Sequence, residues 1–89
     1  MASVSVRLPV GAKTRDGATE IRVEAGTVGE ALEAAIAREP SIRTRVFRED
    51  GRMYAGIFLS GRNIKSLGGL DAPLSEGDSL QIVPPISGG

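Results

Sequence analysis

The residues of this chain that could take part in chemistry are the last six, Pro84-Pro85-Ile86-Ser87-Gly88-Gly89. Gly89 ends the sequence and is expected to carry a free α-carboxylate, whose pKa of roughly 3.3–3.7 keeps it ionised at neutral pH. The two prolines restrict the backbone ahead of it, and the two glycines place no side chain beside it. An ionised, unhindered carboxylate on a thin arm suits activation inside the active site of another protein.

A merely flexible end is the alternative interpretation of this tail, because terminal residues often make few contacts. Glycine makes up 12 of the 89 residues, so a glycine pair also arises by chance. A second pair, Gly68-Gly69, is internal and can do no carboxyl chemistry. The tail by itself therefore leaves both interpretations open, and the rest of the chain must decide between them.

The rest of the chain lacks the side chains of the common catalytic and metal sites. The sequence contains no Cys and no His, which excludes disulfides, the usual zinc and iron–sulfur sites, and Ser–His or Cys–His nucleophiles. Glu30 and Glu33 lie on a predicted helix and are interpreted as capping and solvated residues rather than a catalytic pair. We therefore predict no catalytic residue, no metal and no bound cofactor in this chain, and Gly89 is the credible reactive group.

Composition narrows the class of partner. The chain is 40% hydrophobic and 25% charged, as in a single globular domain, and eleven basic residues offset eleven interspersed acidic ones. Neither a basic patch nor an aromatic stacking platform is evident, so we expect no nucleic-acid and no membrane partner. The N-terminus lacks a signal-peptide pattern and no apolar run is long enough to cross a membrane, so the expected location is the cytoplasm.

The hydrophobic pattern predicts an α+β domain. Alternating apolar residues indicate four strands, and Thr27 with Glu30 forms a capping box that opens one amphipathic helix ending before Pro40. The predicted order is strand, strand, helix, strand, short element, strand. The segments that carry this pattern are residues 3–8, 20–24, 27–39, 54–60 and 79–83.

A second set of apolar side chains falls on the face of the sheet that the helix does not cover. Phe58 and Val83 alternate away from the core, and Tyr54 is expected to join them near the point where the tail departs. Isolated surface apolar residues are common and need no functional explanation. Clustered beside a reactive tail, however, these three predict a patch on which a partner docks.

Two segments carry a resemblance to a known family. The run from Gly68 to Leu80, with its L-D-A-P-L and E-G-D sequences, and the ending from Ile82 to Gly89 resemble the MoaD/ThiS group of ubiquitin-like sulfur carriers. The similarity extends from about Val4 to the end. It implies a β-grasp fold, a mixed sheet of four to five strands with one main helix packed across it. The implied organisation is a β-grasp domain over residues 1–83 and a flexible diglycine tail over residues 84–89.

The resemblance also implies a function. An activating enzyme uses ATP and Mg²⁺ to adenylate the terminal Gly89, and a sulfur donor protein converts the product to a thiocarboxylate. Residues Pro85, Ile86, Ser87 and Gly88 would enter the partner's active site. The acceptor could be a molybdopterin synthase large subunit or a cysteine synthase, and the sequence leaves both open. One departure from the family is Arg62, at a turn position that is often acidic.

Two other functions compete with sulfur transfer. The first is a ubiquitin-like modifier that is conjugated to lysines of other proteins through Gly89. The second is an interaction domain whose terminus does no chemistry.

Overall fold

The computed structural model of the protein describes residues 1–9 and 13–84. A five-stranded sheet is covered on one face by a main helix, and short helical segments close the ends of the core. The strands are β1 (Ala2–Arg7), β2 (Glu20–Ala25), β3 (Gly56–Leu59), β4 (Arg62–Asn63) and β5 (Ser79–Val83). The helices are α1 (Val28–Arg38) and α2 (Ile42–Val46), with 3₁₀ turns at Ile64–Ser66 and Gly69–Asp71.

The strand order is β2-β1-β5-β3-β4. The first and last strands, β1 and β5, are adjacent and parallel, and Val6 lies opposite Leu80. Every other pairing is antiparallel, including the β1–β2 hairpin that places Val6 opposite Ile21. This is the β-grasp arrangement, and it confirms the predicted mixed sheet with its helix.

Helix α1 begins at the predicted cap. The Thr27 hydroxyl oxygen accepts a hydrogen bond from the Glu30 amide at 3.2 Å. The Glu30 carboxylate accepts one from the Gly26 amide at 2.8 Å, one residue earlier than the Thr27 amide of a standard capping box. The helix ends at Arg38, because Pro40 keeps Glu39 out of helical geometry, with φ −140° and ψ 87°.

The core lies between α1 and the sheet, and α2 closes one end of it. Side chains alternate between buried and exposed along β1, β2 and β5, as a half-covered sheet requires. Helix α1 buries five residues against that face, and α2 buries two more. These are Val28, Ala31, Leu32, Ala35 and Ile36 on α1, and Ile42 and Val46 on α2.

The connection that carries the L-D-A-P-L sequence holds the start of α1. The Val28 amide donates to the Ala72 carbonyl at 3.0 Å, and the Leu74 amide donates to the Gly26 carbonyl at 2.9 Å. A side chain at Gly29 would meet the Leu70 carbonyl oxygen at 3.3 Å, so the helix approaches this connection closely. The segment that carries the resemblance to the family therefore fixes the start of α1 by backbone hydrogen bonds.

One predicted strand is shorter than the pattern indicated. The alternation suggested strand geometry from Tyr54 to Ser60, but β3 covers only Gly56–Leu59. The Tyr54 and Ala55 amides donate to the Val46 carbonyl at the end of α2 rather than to a neighbouring strand. At the other end Ser60 adopts a φ of 49°, which turns the chain toward β4.

Across the described ranges 1–9 and 13–84, no helix is both long and apolar enough to span a membrane.

Candidate functional site

The predicted reactive terminus Gly89, together with Pro85, Ile86, Ser87 and Gly88, lies outside the described residues. The structure does show where the chain leaves the sheet. Central strand β5 ends at Val83, and Val83 pairs with Gly56 at the first residue of β3. The exposed Pro84 then leads into the tail.

A depression of about 430 Å³ lies at this exit point. Gly56 has no side chain, and a Cβ built there would lie 3.4 Å from the Phe58 ring and 3.7 Å from the Val83 Cβ. Phe58 and Val83 therefore flank an open position on the uncovered face of the sheet. Because Gly56 has no side chain, this position in the lining of the depression is left unfilled.

Tyr54 lines the same depression, although it lies on the segment before β3 rather than on the sheet. Its hydroxyl donates a hydrogen bond to the Thr44 carbonyl near the end of α2. Tyr54 is 39% exposed and Val83 is 36% exposed, whereas Phe58 is half-buried. The structure thus brings together the three residues predicted to form a patch, and their role in docking stays a prediction.

Other lining residues were missed by the sequence reasoning. Met53 and the exposed Lys65 also line the depression. Lys65 lies on the 3₁₀ turn after β4, where the Asn63 side chain accepts a hydrogen bond from the Lys65 amide at 2.9 Å. An Asn directly before a short helical turn is a capping signal that can be seen in the sequence. Only the pairing of Asn63 with Phe58, however, brings that turn next to the depression. We name the surface formed by Met53, Tyr54, Gly56, Phe58, Lys65 and Val83 the β3–β5 depression.

The uncovered face is divided into an apolar and a polar part. Gln81 on β5 lies between Phe58 on β3 and Arg7 on β1. The Gln81 side-chain amide nitrogen, Nε2, donates to the Ile82 carbonyl at 3.0 Å. Beyond it the face carries the serines of β1 and the charged residues of β2, so apolar contact is confined to the β3–β5 side.

The described residues at the depression present mainly apolar contact surface. In the part of the chain that the structure describes, no cluster of three or more Asp and Glu residues could hold a metal ion. Away from the depression, on the β1–β2 connection, the hydrogen bond from the Thr14 hydroxyl lowers the pKa of the Asp16 carboxyl. Arg62, the departure from the family pattern, is exposed on edge strand β4 opposite Leu59.

Comparison with known proteins supports the resemblance. The model of the ThiS family matches residues 6–89. Small archaeal modifier protein 1 of Haloferax volcanii is 38% identical over 77 residues, covering 82% of this chain and 85% of its own. A protein of Archaeoglobus fulgidus described as "Putative sulfur carrier protein" is 30% identical over 89 residues, covering 98% of this chain and 99% of its own.

A solved structure shows the same fold over nearly the full length. It is the BexX/CysO complex of Amycolatopsis orientalis, with a TM-score of 0.80 and 25% identity, covering 97% of this chain and 99% of the matched chain. The fold, the arrangement of the sheet exit and the family match over residues 6–89 agree with one another. The chain belongs to the ThiS/MoaD family of small ubiquitin-like proteins, which includes sulfur carriers and small archaeal modifiers.

Proposed function

We propose that this protein is a sulfur carrier whose Gly89 carboxylate is activated by a partner enzyme and converted to a thiocarboxylate. The observation that carries the proposal is the match to the ThiS family, which runs through Gly88 and Gly89 to the last residue. The chain has no Cys or His. It is therefore suited to be the substrate of an activating enzyme rather than an enzyme itself.

The chemistry follows from the properties of a carboxylate. Oxygen is a poor leaving group from a carboxylate, so a carboxylate oxygen first attacks the α-phosphate of ATP and pyrophosphate departs. Mg²⁺ and cationic groups of the activating enzyme stabilise the charge that develops on the phosphate. Hydrosulfide supplied by the sulfur donor then attacks the Gly89 carbonyl carbon, the bond from that carbon to the AMP oxygen breaks, and a thiocarboxylate, AMP and a proton are formed. We propose that the protein acts in the cytoplasm, because the activating enzyme consumes ATP.

The β3–β5 depression is the proposed docking surface for the activating enzyme. Phe58, Val83 and Tyr54 would supply apolar contact where the chain leaves the sheet. At full extension the five residues 85–89 reach at most about 17 Å, so a docked partner must hold its active site within that distance of Pro84. A partner that docks on the β3–β5 depression is therefore positioned so that the tail can reach its active site.

Mass spectrometry tests the proposal. The protein is incubated with its activating enzyme, ATP, Mg²⁺ and a sulfur source, and we expect the intact mass to rise by the difference between sulfur and oxygen. Gly88→Val should abolish this product, because a branched side chain beside the carboxylate obstructs a narrow channel. Ser87→Ala is the matched control in the same tail and should retain it. If the activating enzyme adds sulfur to another carrier protein in the same assay but leaves the mass of this chain unchanged, the proposal is contradicted.

The acceptor of the sulfur can be identified by reconstitution. A molybdopterin synthase large subunit and a cysteine synthase are the two candidates, and the thiocarboxylate form should transfer sulfur to one of them. Loss of the added mass from Gly89 on mixing with the acceptor is the measurement.

Protein modification is a second candidate function, because the relative from Haloferax volcanii is a small archaeal modifier protein. Lys65 is the last tryptic site of the chain, so trypsin would leave residues 66–89 on a modified lysine. The variant Ser87→Arg shortens this remnant to Gly-Gly, which standard peptide mapping detects. If Ser87→Arg is still activated and no lysine in the cell carries the remnant, modification is contradicted.

A further inference from the structure

Lys65 supplies the charge in the lining of the β3–β5 depression, since the other described lining residues are uncharged. Between residues 51 and 70 the sequence carries three cations, Arg52, Arg62 and Lys65, and no Asp or Glu. Strand β5, which forms another wall of the depression, has no charged residue. The described part of the depression is therefore an apolar surface with one positive charge, and its own lining supplies no carboxylate to pair with that charge.

The uncovered face of the sheet brings no acid close to the depression. The row of paired residues that starts at Phe58 continues through Gln81 and Arg7 and reaches an acid only at Glu20 on β2. Strand β2 lies three strand spacings from β3, which is about 14 Å. This distance exceeds the Debye length of about 8 Å at physiological salt. The charge on Glu20 is therefore largely screened from Lys65.

Three acids lie nearer to Lys65 along the chain, and none of them lines the depression. Asp71 is on the following 3₁₀ turn, and Glu49 and Asp50 are on the turn at residues 48–51. Asp50 is engaged by Arg52, whose amide donates to one carboxylate oxygen at 3.0 Å and whose Nε lies 4.0 Å from the other. Among the described residues, no carboxylate lies within salt-bridge distance of the Lys65 ammonium.

The backbone that carries Lys65 is held by local bonds and by the core. The Asn63 side chain accepts a hydrogen bond from the Lys65 amide at 2.9 Å, and the Ser66 hydroxyl donates to the Asn63 carbonyl at 2.9 Å. Ile64, the residue before Lys65, is fully buried in the core. The exposed Lys65 side chain therefore starts from a fixed point beside the depression.

A partner that covers the depression must accommodate this charge. Covering an ammonium group with apolar surface removes its water and costs free energy unless an acceptor replaces that water. A cation of the partner at the same place would add repulsion. The surface that fits has an apolar side chain for the open position at Gly56, between Phe58 and Val83, and a carboxylate beside it for Lys65.

We propose that Lys65 is a specificity-determining residue, which selects an activating enzyme whose docking surface presents an apolar side chain next to a carboxylate. The inference rests on the proposed function, because it concerns the surface assigned to the activating enzyme. The apolar side chain occupies the open position at Gly56, and the carboxylate pairs with the Lys65 ammonium. The apolar contact supplies affinity, and the ion pair discriminates between enzymes that offer similar apolar contact.

Adenylation kinetics test the proposal. Pyrophosphate release by the activating enzyme of the same organism is measured against the concentration of the full chain, at about 0.03 M and about 0.3 M NaCl. At the lower salt, Lys65→Glu should raise KM about tenfold and leave kcat unchanged, because docking is affected and the chemistry at Gly89 is not. Lys65→Gln should raise KM about threefold, and Lys65→Arg, which keeps the charge, should stay within about twofold of the wild type. At the higher salt these differences should shrink.

Arg62→Glu is the matched control, because it makes the same charge reversal on the neighbouring strand β4. Arg62 is exposed, lies opposite Leu59, which packs against the core, and does not line the depression. We expect it to change KM by less than about twofold. Lys65→Glu keeps the backbone amide that bonds Asn63, so the fold should be retained, and circular dichroism of the variant checks this.

The outcomes separate this inference from the proposed function. If the wild type is adenylated and Lys65→Glu leaves KM unchanged, or if Arg62→Glu raises KM equally, the role of Lys65 is overturned and the proposed function stands. A KM defect of the same size at both salt concentrations would also overturn the ion pair. If the activating enzyme does not adenylate the wild type, the proposed function fails and this inference fails with it.

Discussion

Two concave surfaces formed by residues that the structure describes are similar in size and differ in chemistry. The β3–β5 depression, at about 430 Å³, is bounded by Phe58, Val83 and Tyr54 around a glycine. A groove of about 420 Å³ beside the edge strand β2, which we call the β2-edge groove, is lined by arginines and by the acidic residues Asp16, Glu20 and Glu39. The first presents side chains on a sheet face, and the second presents backbone groups on a sheet edge.

This difference indicates two kinds of recognition. Apolar side chains favour a partner of complementary shape, and such contact depends little on ionic strength. Edge backbone groups and charged side chains of both signs favour polar contacts, and such contacts weaken as salt rises.

The largest expected effect is on stability at β3, where adjacent residues face opposite sides of the sheet. Ile57 is 1% exposed in the core and Phe58 is half-buried in the depression. Ile57→Ala should lower the free energy of unfolding by about 2–5 kcal/mol, because it leaves a cavity in a packed interior. Phe58→Ala should cost distinctly less. Urea denaturation of both variants measures this, and equal losses would show that the two faces of β3 are equally buried.

Activation by the partner enzyme should separate the two surfaces. Phe58→Ala is expected to lower kcat/KM for adenylation about tenfold, which corresponds to about 1.4 kcal/mol of lost apolar contact. Arg38→Glu should change the same value by less than about twofold, because the β2-edge groove lies at the opposite edge of the sheet. If Arg38→Glu impairs adenylation as much as Phe58→Ala, the two surfaces do not act separately.

The smallest effect concerns the wall of the β2-edge groove. The hydrogen bond from the Thr14 hydroxyl lowers the pKa of Asp16 below its ordinary value of 3.8. The folded state therefore favours the carboxylate, and this stabilisation is present above the unfolded pKa and is lost as pH falls through the lower folded value. Asp16→Asn should be slightly less stable than the wild type at pH 7.

At pH 3 the difference between wild type and Asp16→Asn should narrow, because more of the aspartate is protonated. Urea unfolding of both proteins at the two pH values measures it. A difference of the same size at pH 3 and pH 7 would mean that the Thr14–Asp16 bond does not act through the charge. The effect is small because Asp16 is fully exposed to solvent.

Much of the fold was predictable because its signals are local. Alternation along residues 3–8 and 79–83 identified β1 and β5, and Thr27 with Glu30 identified the start of α1. The sequence could not show that the Glu30 carboxylate bonds the Gly26 amide, since that depends on the backbone geometry of the turn between β2 and α1. The sequence pattern also predicted too long a strand at β3. The Tyr54 amide instead donates to the Val46 carbonyl of α2, a contact between separate elements that no local pattern shows.

The candidate surfaces were predictable only in part. Phe58 and Val83 were found by alternation, because period two decides which side chains share a face. The role of Gly56 was missed, since a residue without a side chain gives no hydrophobic signal. Lys65 was missed because the pairing of β3 with β4 is what brings it near.

The sequence by itself determined the secondary structure of the main elements and the class of chemistry open to the chain. Both depend on side-chain type and spacing: periodicity selects strand or helix, and in a chain without Cys and His the Gly89 carboxylate is the group that we propose to be activated. The tertiary structure decided which surfaces accompany that chemistry. Only the antiparallel pairing of β3 with β5 places Val83 beside Gly56 at the exit, and only the packing of α1 along β2 brings Arg38 to the Arg22 carbonyl. These contacts join residues far apart in the chain, so no local pattern encodes them.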